Sequence, residues 1–180
     1  MLRTLALTLI AVPSFAFAVG SNDDAADTPP TPTETSETCT DGQVWDADAE
    51  VCVDPDDQAL NDEKRLNAIR ELAYAGQIQE ALRVLGTLED QGSDGAMTYK
   101  GFLARQSGDW ETAKLHYAAA LAENPDNLLA RSYYGQGLAA EGDMAAAKAQ
   151  LSEIRARGGR QTWAEVSLRL AIETGHLPAY

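Results

Sequence analysis

Four glycines recur at nearly equal intervals in the latter part of this chain, and no other feature restricts its fold as much. Gly76, Gly108, Gly142 and Gly175 are separated by 32, 34 and 33 residues. Five residues after the first three stand Ala81, Ala113 and Ala147. Four further on come Leu85, Tyr117 and Leu151, and three beyond those Leu88, Ala120 and Ile154. Seven residues before Gly108 and Gly142 are Gly101 and Gly135. A fixed period of this size marks stacked supersecondary units, and about 34 residues hold two helices and two turns. A small residue on the first helix and an alanine on the second let the pair cross closely. The recurring glycine supplies the left-handed backbone that ends the first helix. Asp109 and Asp143, which follow it, are placed to cap the second. The large apolar residues then fill the space between neighbouring units.

Composition agrees with helices. Between residues 60 and 175 Ala, Leu, Arg, Glu and Gln dominate, and Pro125 is the one proline.

Residues 94–127 carry Gly101, Gly108-Asp109-Trp110, Ala113, Tyr117, Ala120 and Pro125. In that order and spacing they resemble the tetratricopeptide repeat family. Residues 128–159 resemble it again through Gly135, Leu138, Gly142-Asp143, Ala147, Leu151 and Ile154, but end on Gly158-Gly159 in place of the closing proline. Residues 62–91 run two residues short and put Ile69 where a small residue is expected, yet keep Leu72, Gly76, Ala81 and Leu85. Residues 162–175 look like the first helix of a fourth repeat, opened by a capping box from Thr162 to Glu165. A lone last helix covers the open end of a solenoid. The expected fold is all-α: a tetratricopeptide-type helical-hairpin solenoid over residues 60–175, of about three repeats plus a terminal helix.

The first 57 residues have a different texture. Arg3, an apolar run from Thr4 to Val12, and Ala16-Phe17-Ala18 have the order of a cleavable signal peptide over residues 1–18, with the cut after Ala18. The apolar run is shorter than the roughly 20 residues a bilayer requires. No cysteine stands at the site of a lipoprotein anchor. The expectation is export to a periplasm or beyond, with no membrane insertion after cleavage. Residues 19–38 hold Pro, Ser, Thr and acids with almost nothing to bury, and read as a disordered acidic linker. Residues 39–57 read as a Cys-bounded hairpin and turn, with strands near Gln43-Val44-Trp45 and Glu50-Val51-Cys52-Val53. The pattern Cys39-x-x-Gly42-x-Val44-Trp45-Asp46 resembles small hairpins of exported bacterial proteins. Cys39 and Cys52 are the only two cysteines, so one pairing is available if the bond forms. Residues 176–180 read as a C-terminal tail.

Charge is partitioned the same way. The formal net charge is −14. Residues 19–63 contain 14 acids and no Lys or Arg, whereas residues 64–180 contain 14 acids and 13 bases. An acidic, self-repelling front half excludes nucleic acid as a partner, because phosphates demand a basic patch. It offers no polybasic attraction to anionic lipid either.

No catalytic constellation emerges. His116 and His176 lack the clustering that metal ligands need. No nucleophile elbow or phosphate loop is present, and Gly135-Gln136-Gly137 falls mid-helix, where packing is the better reading. Asp46-Ala47-Asp48-Ala49-Glu50 and Asp54-Pro55-Asp56-Asp57 lack the sixth-position Gly and twelfth-position Glu of a calcium loop. The expectation is no enzyme, no metal and no cofactor.

The resemblance implies that first helices line a concave groove that holds a partner segment. By register that groove takes Leu66, Arg70 and Tyr74, then Thr98, Phe102 and Arg105, then Ser132 and Gln136. Two arginines among aromatics suit a segment with one acidic and one apolar feature. The Lys and Asn of the family's carboxylate clamp are missing from these places. The function implied is a non-catalytic periplasmic adaptor that binds another envelope protein. The alternative makes the acidic Cys hairpin the working part, with the repeats serving docking or self-association.

Overall fold

The computed structural model describes residues 28–175. The signal peptide with its cut after Ala18, the first part of the acidic linker, the C-terminal tail and His176 lie outside the described residues.

Helices dominate, in the order the glycine spacing requires. A single turn, α1 (Glu34–Glu37), leads into the two short strands β1 (Val44–Asp46) and β2 (Val51–Val53). The first hairpin is α2 (Asp62–Tyr74) and α3 (Ile78–Leu85), the second α4 (Asp94–Gln106) and α5 (Trp110–Glu123). The third is α6 (Leu128–Ala140) and α7 (Met144–Ala156), and α8 (Trp163–Thr174) closes the series. Each first helix packs on its own second helix and on the first helix of the next hairpin: α2 on α4, α4 on α6, α6 on α8. This is the expected tetratricopeptide-type helical-hairpin solenoid, preceded by a small disulfide hairpin.

Local chemistry explains the breaks. Gly76, Gly108 and Gly142 sit at φ of 74°, 83° and 86°, the left-handed backbone that ends α2, α4 and α6. The next residue folds back each time: Gln77, Asp109 and Asp143 donate their backbone N–H to Leu72, Ala104 and Leu138 oxygens at 2.9, 2.9 and 2.8 Å. Asp109 and Asp143 then accept the N–H groups of Thr112 and Ala146, both at 3.0 Å. The Thr162 hydroxyl accepts from Glu165 N at 3.3 Å, but Glu165 does not reach back to complete the box. Its carboxylate instead takes two donors from Arg155 on α7, at 3.0 and 2.6 Å.

Close crossings account for two more glycines. A Cβ on Gly101 would lie 2.7 Å from the Tyr117 ring, and one on Gly137 would lie 2.3 Å from the Trp110 ring. Tyr117, Ala113 and Ala120 of α5 have no solvent exposure, and neither do Ile69, Phe102 and Tyr133 on the first helices. Burying each such large apolar side chain contributes roughly 1.5–3 kcal/mol.

The Cys-bounded segment caps the first repeat. Val44, Trp45 and Asp46 pair antiparallel with Val53, Cys52 and Val51. Cys39 and Cys52 form the disulfide, with Cα atoms 5.6 Å apart. Asp41 O accepts Arg83 Nη1 at 2.6 Å, and Asp48 accepts Lys64 Nζ at 3.3 Å. Pro55 O accepts both Arg65 Nε at 2.9 Å and the Thr87 hydroxyl at 3.0 Å.

One boundary differs from the sequence reading. Of the linker expected over residues 19–38, the part from Thr28 onward is docked on α2. The hydroxyls and backbone N–H groups of Thr33 and Ser36 converge on the Glu71 carboxylate, and Gln77 Nε2 donates to Ser36 O at 2.7 Å. The reading weighed only apolar burial, and this attachment is made by hydrogen bonds.

Candidate binding surface on the first helices

The face shared by the first helices is filled with rings. Tyr74 of α2 stacks on Phe102 of α4, with centroids 5.4 Å apart and planes 6° from parallel. Tyr133 of α6 meets the edge of Phe102 at 4.8 Å, and its hydroxyl lies 2.7 Å from the Tyr74 hydroxyl. Trp163 of α8 donates its indole N–H to the same Tyr74 hydroxyl at 3.3 Å. Beside them, burial pushes the Tyr99 phenol well above its usual pKa, so it stays neutral.

This changes the groove. Of the eight residues placed there by register, Arg70, Thr98, Phe102, Ser132 and Gln136 are buried. Thr98 is tied to Asp94 O at 2.6 Å and to Asn127 Nδ2 at 3.1 Å. Ser132 meets the Ser167 hydroxyl of α8 at 3.0 Å, and Gln136 Nε2 donates to both hydroxyls at 3.1 and 3.2 Å. First helices pack directly on one another, and these hydrogen bonds run within and between their layers. Leu66 is half-buried and lies under α4, where a Cβ on Gly95 would come within 3.0 Å of it. What remains of the predicted set as a place for chemistry is Tyr74, Arg70 and Arg105.

Arg70 and Arg105 bracket the Tyr74–Phe102 stack. The Arg70 guanidinium lies 5.9 Å from the Tyr74 centroid, and the Arg105 guanidinium lies 5.2 Å from the Phe102 centroid. Arg70 Nη2 donates to Thr28 O. Arg105 has no acceptor among the described residues: Nε, Nη1 and Nη2 are all buried and without a hydrogen-bond partner. A guanidinium removed from water without acceptors is costly, and an anion at this point would offset that cost. A Cβ on Gly137 of α6 would meet Arg105 Cδ at 3.2 Å as well as the Trp110 ring. The glycine therefore leaves room for the Trp110 ring and for the arginine, a role its position in Gly135-Gln136-Gly137 did not reveal.

A second concavity, of about 600 Å3, lies between α7 and α8 and is lined by Lys148, Arg155, Arg160 and Arg169 around Leu151 and Ile172. Two of its four cations already have carboxylate partners, Arg155 in Glu165 and Arg169 in Glu173. The other two, Lys148 and Arg160, are exposed to water, whereas the Arg105 nitrogens are buried.

The acidic turns use their carboxylates locally. Asp46 accepts Asp48 N at 3.0 Å and Asp57 accepts Ala59 N at 2.8 Å. Among the described residues no group of three or more His, Cys, Asp or Glu side chains is placed to hold a metal ion. No described helix is long and apolar enough to cross a membrane. Burial, helped by the charge of Lys100, lowers the pKa of His116 on α5, away from this face.

Residues 104–167 match a tetratricopeptide repeat family model. The match begins in the last turn of α4, spans α5, α6 and α7, and ends within α8, so it covers the second helix of the second repeat, the whole third repeat and the start of the last helix. It supports the tetratricopeptide resemblance, and repeats of this type generally mediate protein–protein interactions. No curated protein and no solved structure gave a match.

Several members of this surface were not foreseen. Tyr133 and Trp163 were not among the groove residues expected from register, since nothing in one helix announces a ring from three layers away. Glu71 was not among the expected residues either. The Thr33-x-x-Ser36 spacing ahead of it was a usable sign of a helical turn.

Proposed function

We propose that this chain is an exported, non-catalytic adaptor. It binds an acidic segment of another envelope protein at Arg105, beside the Tyr74–Phe102 stack. The observation that carries this reading is the Arg105 guanidinium, buried on an aromatic face with three nitrogens and no acceptor. A carboxylate set there gains charge-assisted bonds worth roughly 1.5–3 kcal/mol, and an adjacent apolar side chain has rings to rest on. The repeat match supports a protein partner, and the amino-terminal sequence supports export. The Cys hairpin serves this reading as the cap of the first repeat, since it is bound along α2 and α3.

The test is crosslinked capture from envelope extract with the unaltered chain and with Arg105→Gln. Phe102 is unsuitable as a probe because it is core. A partner recovered at least tenfold less by the variant is the expected outcome. The captured segment, made as a peptide with its acid changed to the amide, should then lose binding. Equal recovery by both chains would overturn the assignment to Arg105.

A further inference from the structure

We propose that copies of this chain associate head to tail: the Glu50-Val51 tip of the Cys-bounded hairpin of one copy docks in the basic concavity between α7 and α8 of the next. This surface is separate from Arg105 and does not depend on the reading given to that residue.

Charge is divided between the first and last repeats. The hairpin segment, residues 39–57, holds seven acids and no Lys or Arg. It packs on the first repeat, where Asp41 O and Pro55 O take donors from α3 and α2. The concavity lies at the last pair of helices, and its lining comes from residues 148–173 alone. The hairpin of the same copy therefore does not fill it. Arg155 and Arg169 are held there by Glu165 and Glu173 at 2.6 and 3.1 Å. Lys148 and Arg160 are left exposed, with no ion pair among the described residues. Leu151 and Ile172, which pack in one apolar cluster, supply the apolar part of the lining.

The hairpin tip carries the matching chemistry. Glu50 is exposed and makes no ion pair among the described residues. Val51 beside it is 47% exposed, one of the few large apolar side chains left open to water there. An acid next to an apolar side chain suits two unpaired cations beside an apolar lining. The tip is also held firmly. Cys52 follows Val51 directly and is bonded to Cys39, and Asp46 and Asp48 reach Lys64 of α2 at 4.0 and 3.3 Å. A tip that is already ordered loses little freedom on docking. At about 600 Å3 the concavity has the size of a small-ligand pocket, which suits a loop tip and not a whole helix. Opposite charge on the two patches also steers the encounter. Because the patches differ, each copy keeps one unused patch after the first contact, so assembly grows into a ring or an open chain and does not stop at a symmetric pair.

The test is sedimentation equilibrium of the chain as exported, over a range of concentrations, beside two variants altered at exposed positions. Glu50→Lys/Val51→Ser spoils the tip, and Lys148→Glu/Arg160→Glu spoils the concavity. The average mass of the unaltered chain should rise from one copy to at least two, and fall back when added salt screens the charges. Each variant alone should stay a single copy. Mixed in equal amounts, the two should form pairs and nothing larger, since one intact tip meets one intact concavity. An unaltered chain that remains a single copy at every concentration overturns the proposal, and so does a mixture that fails to pair. A variant that assembles as the unaltered chain does places the contact elsewhere and overturns it too. Polyglutamate that binds through Lys148 and Arg160 to a chain that stays single gives the concavity to an acidic segment of another protein, which is again a refutation. Should a charge reversal disturb the helical circular dichroism, the neutral Lys148→Gln/Arg160→Gln takes its place. It should weaken association by about tenfold, and an unweakened association counts against the concavity. Arg105→Gln should assemble as the unaltered chain does; loss of assembly there would put the tip at Arg105 and refute the concavity as its place.

Discussion

Ser36 and Glu71 are joined twice: the Ser36 backbone N–H and its hydroxyl both donate to Glu71 Oε1, at 2.9 and 2.5 Å. Thr33 adds its N–H to Oε1 at 2.7 Å and its hydroxyl to Oε2 at 2.8 Å. A buried carboxylate thus replaces a hydrophobic contact as the means of seating the entering chain. Glu71→Ala should destabilise the protein by about 3 kcal/mol in urea denaturation, because it removes four hydrogen bonds to a charged group. Glu71→Gln should cost less. In both, the bonds from residue 33 to residue 38 should become accessible to limited proteolysis, and an unchanged cleavage pattern would refute the role given to Glu71.

The disulfide closes a short loop on the outside of α2. Cys39→Ser with Cys52→Ser should cost about 3 kcal/mol in the chain-entropy account. Helical circular dichroism at low temperature should persist, since the repeats carry the main apolar cluster. A collapse of helical signal on reduction would mean that the cap is indispensable to the stack.

Glycines here separate into two kinds. Gly101→Ala and Gly137→Ala would each drive a methyl into a ring, at 2.7 and 2.3 Å, and should cost about 1–3 kcal/mol through overpacking. Gly86 ends α3 in a right-handed conformation at φ −64°, and its nearest atom to a new methyl is at 3.4 Å. Gly86→Ala should be neutral or stabilise by roughly 0.4–1 kcal/mol through the unfolded chain. Thermal melts of the three variants read the contrast directly.

Asp62 gives the fold an acid-sensitive clasp. Burial acts to raise its pKa. The backbone N–H groups of Asp90 and Glu89, both at 2.9 Å, together with Arg65 at 3.3 Å, outweigh burial and hold it below the usual carboxylate range. A depressed folded pKa contributes stability that is fully present above the unfolded value of about 4 and is lost as pH falls through the folded value. Asp62→Asn should therefore be less stable at neutral pH and lose less on acidification below about pH 4. Parallel stability curves for the two proteins would refute this.

Spacing made the repeat legible because helix length, crossing and termination are all set by small residues at fixed intervals. Gly108-Asp109 and Gly142-Asp143 announced both a stop and a start. The binding face was legible only as a register. Ser132, Gln136 and Thr98 occupy the right turns of the right helices, yet how far successive first helices close on one another depends on side chains several layers apart. The Gly135 contact shows why, since a Cβ there would meet Leu168 of α8 at 2.7 Å. The docking of residues 28–38 was hidden for another reason: periodicity registers apolar burial, and Glu71 attracts hydroxyls and amides.

The indole N–H of Trp163 meets the hydroxyl of Tyr74 across 89 residues of chain. Repeat proteins ordinarily behave as one-dimensional arrays whose ends fray independently and whose stability grows unit by unit. Here the last helix is latched to the first, so neither end can peel away without the other giving way. Such a molecule should melt in a single step, and its final helix cannot dock until the first repeat has formed.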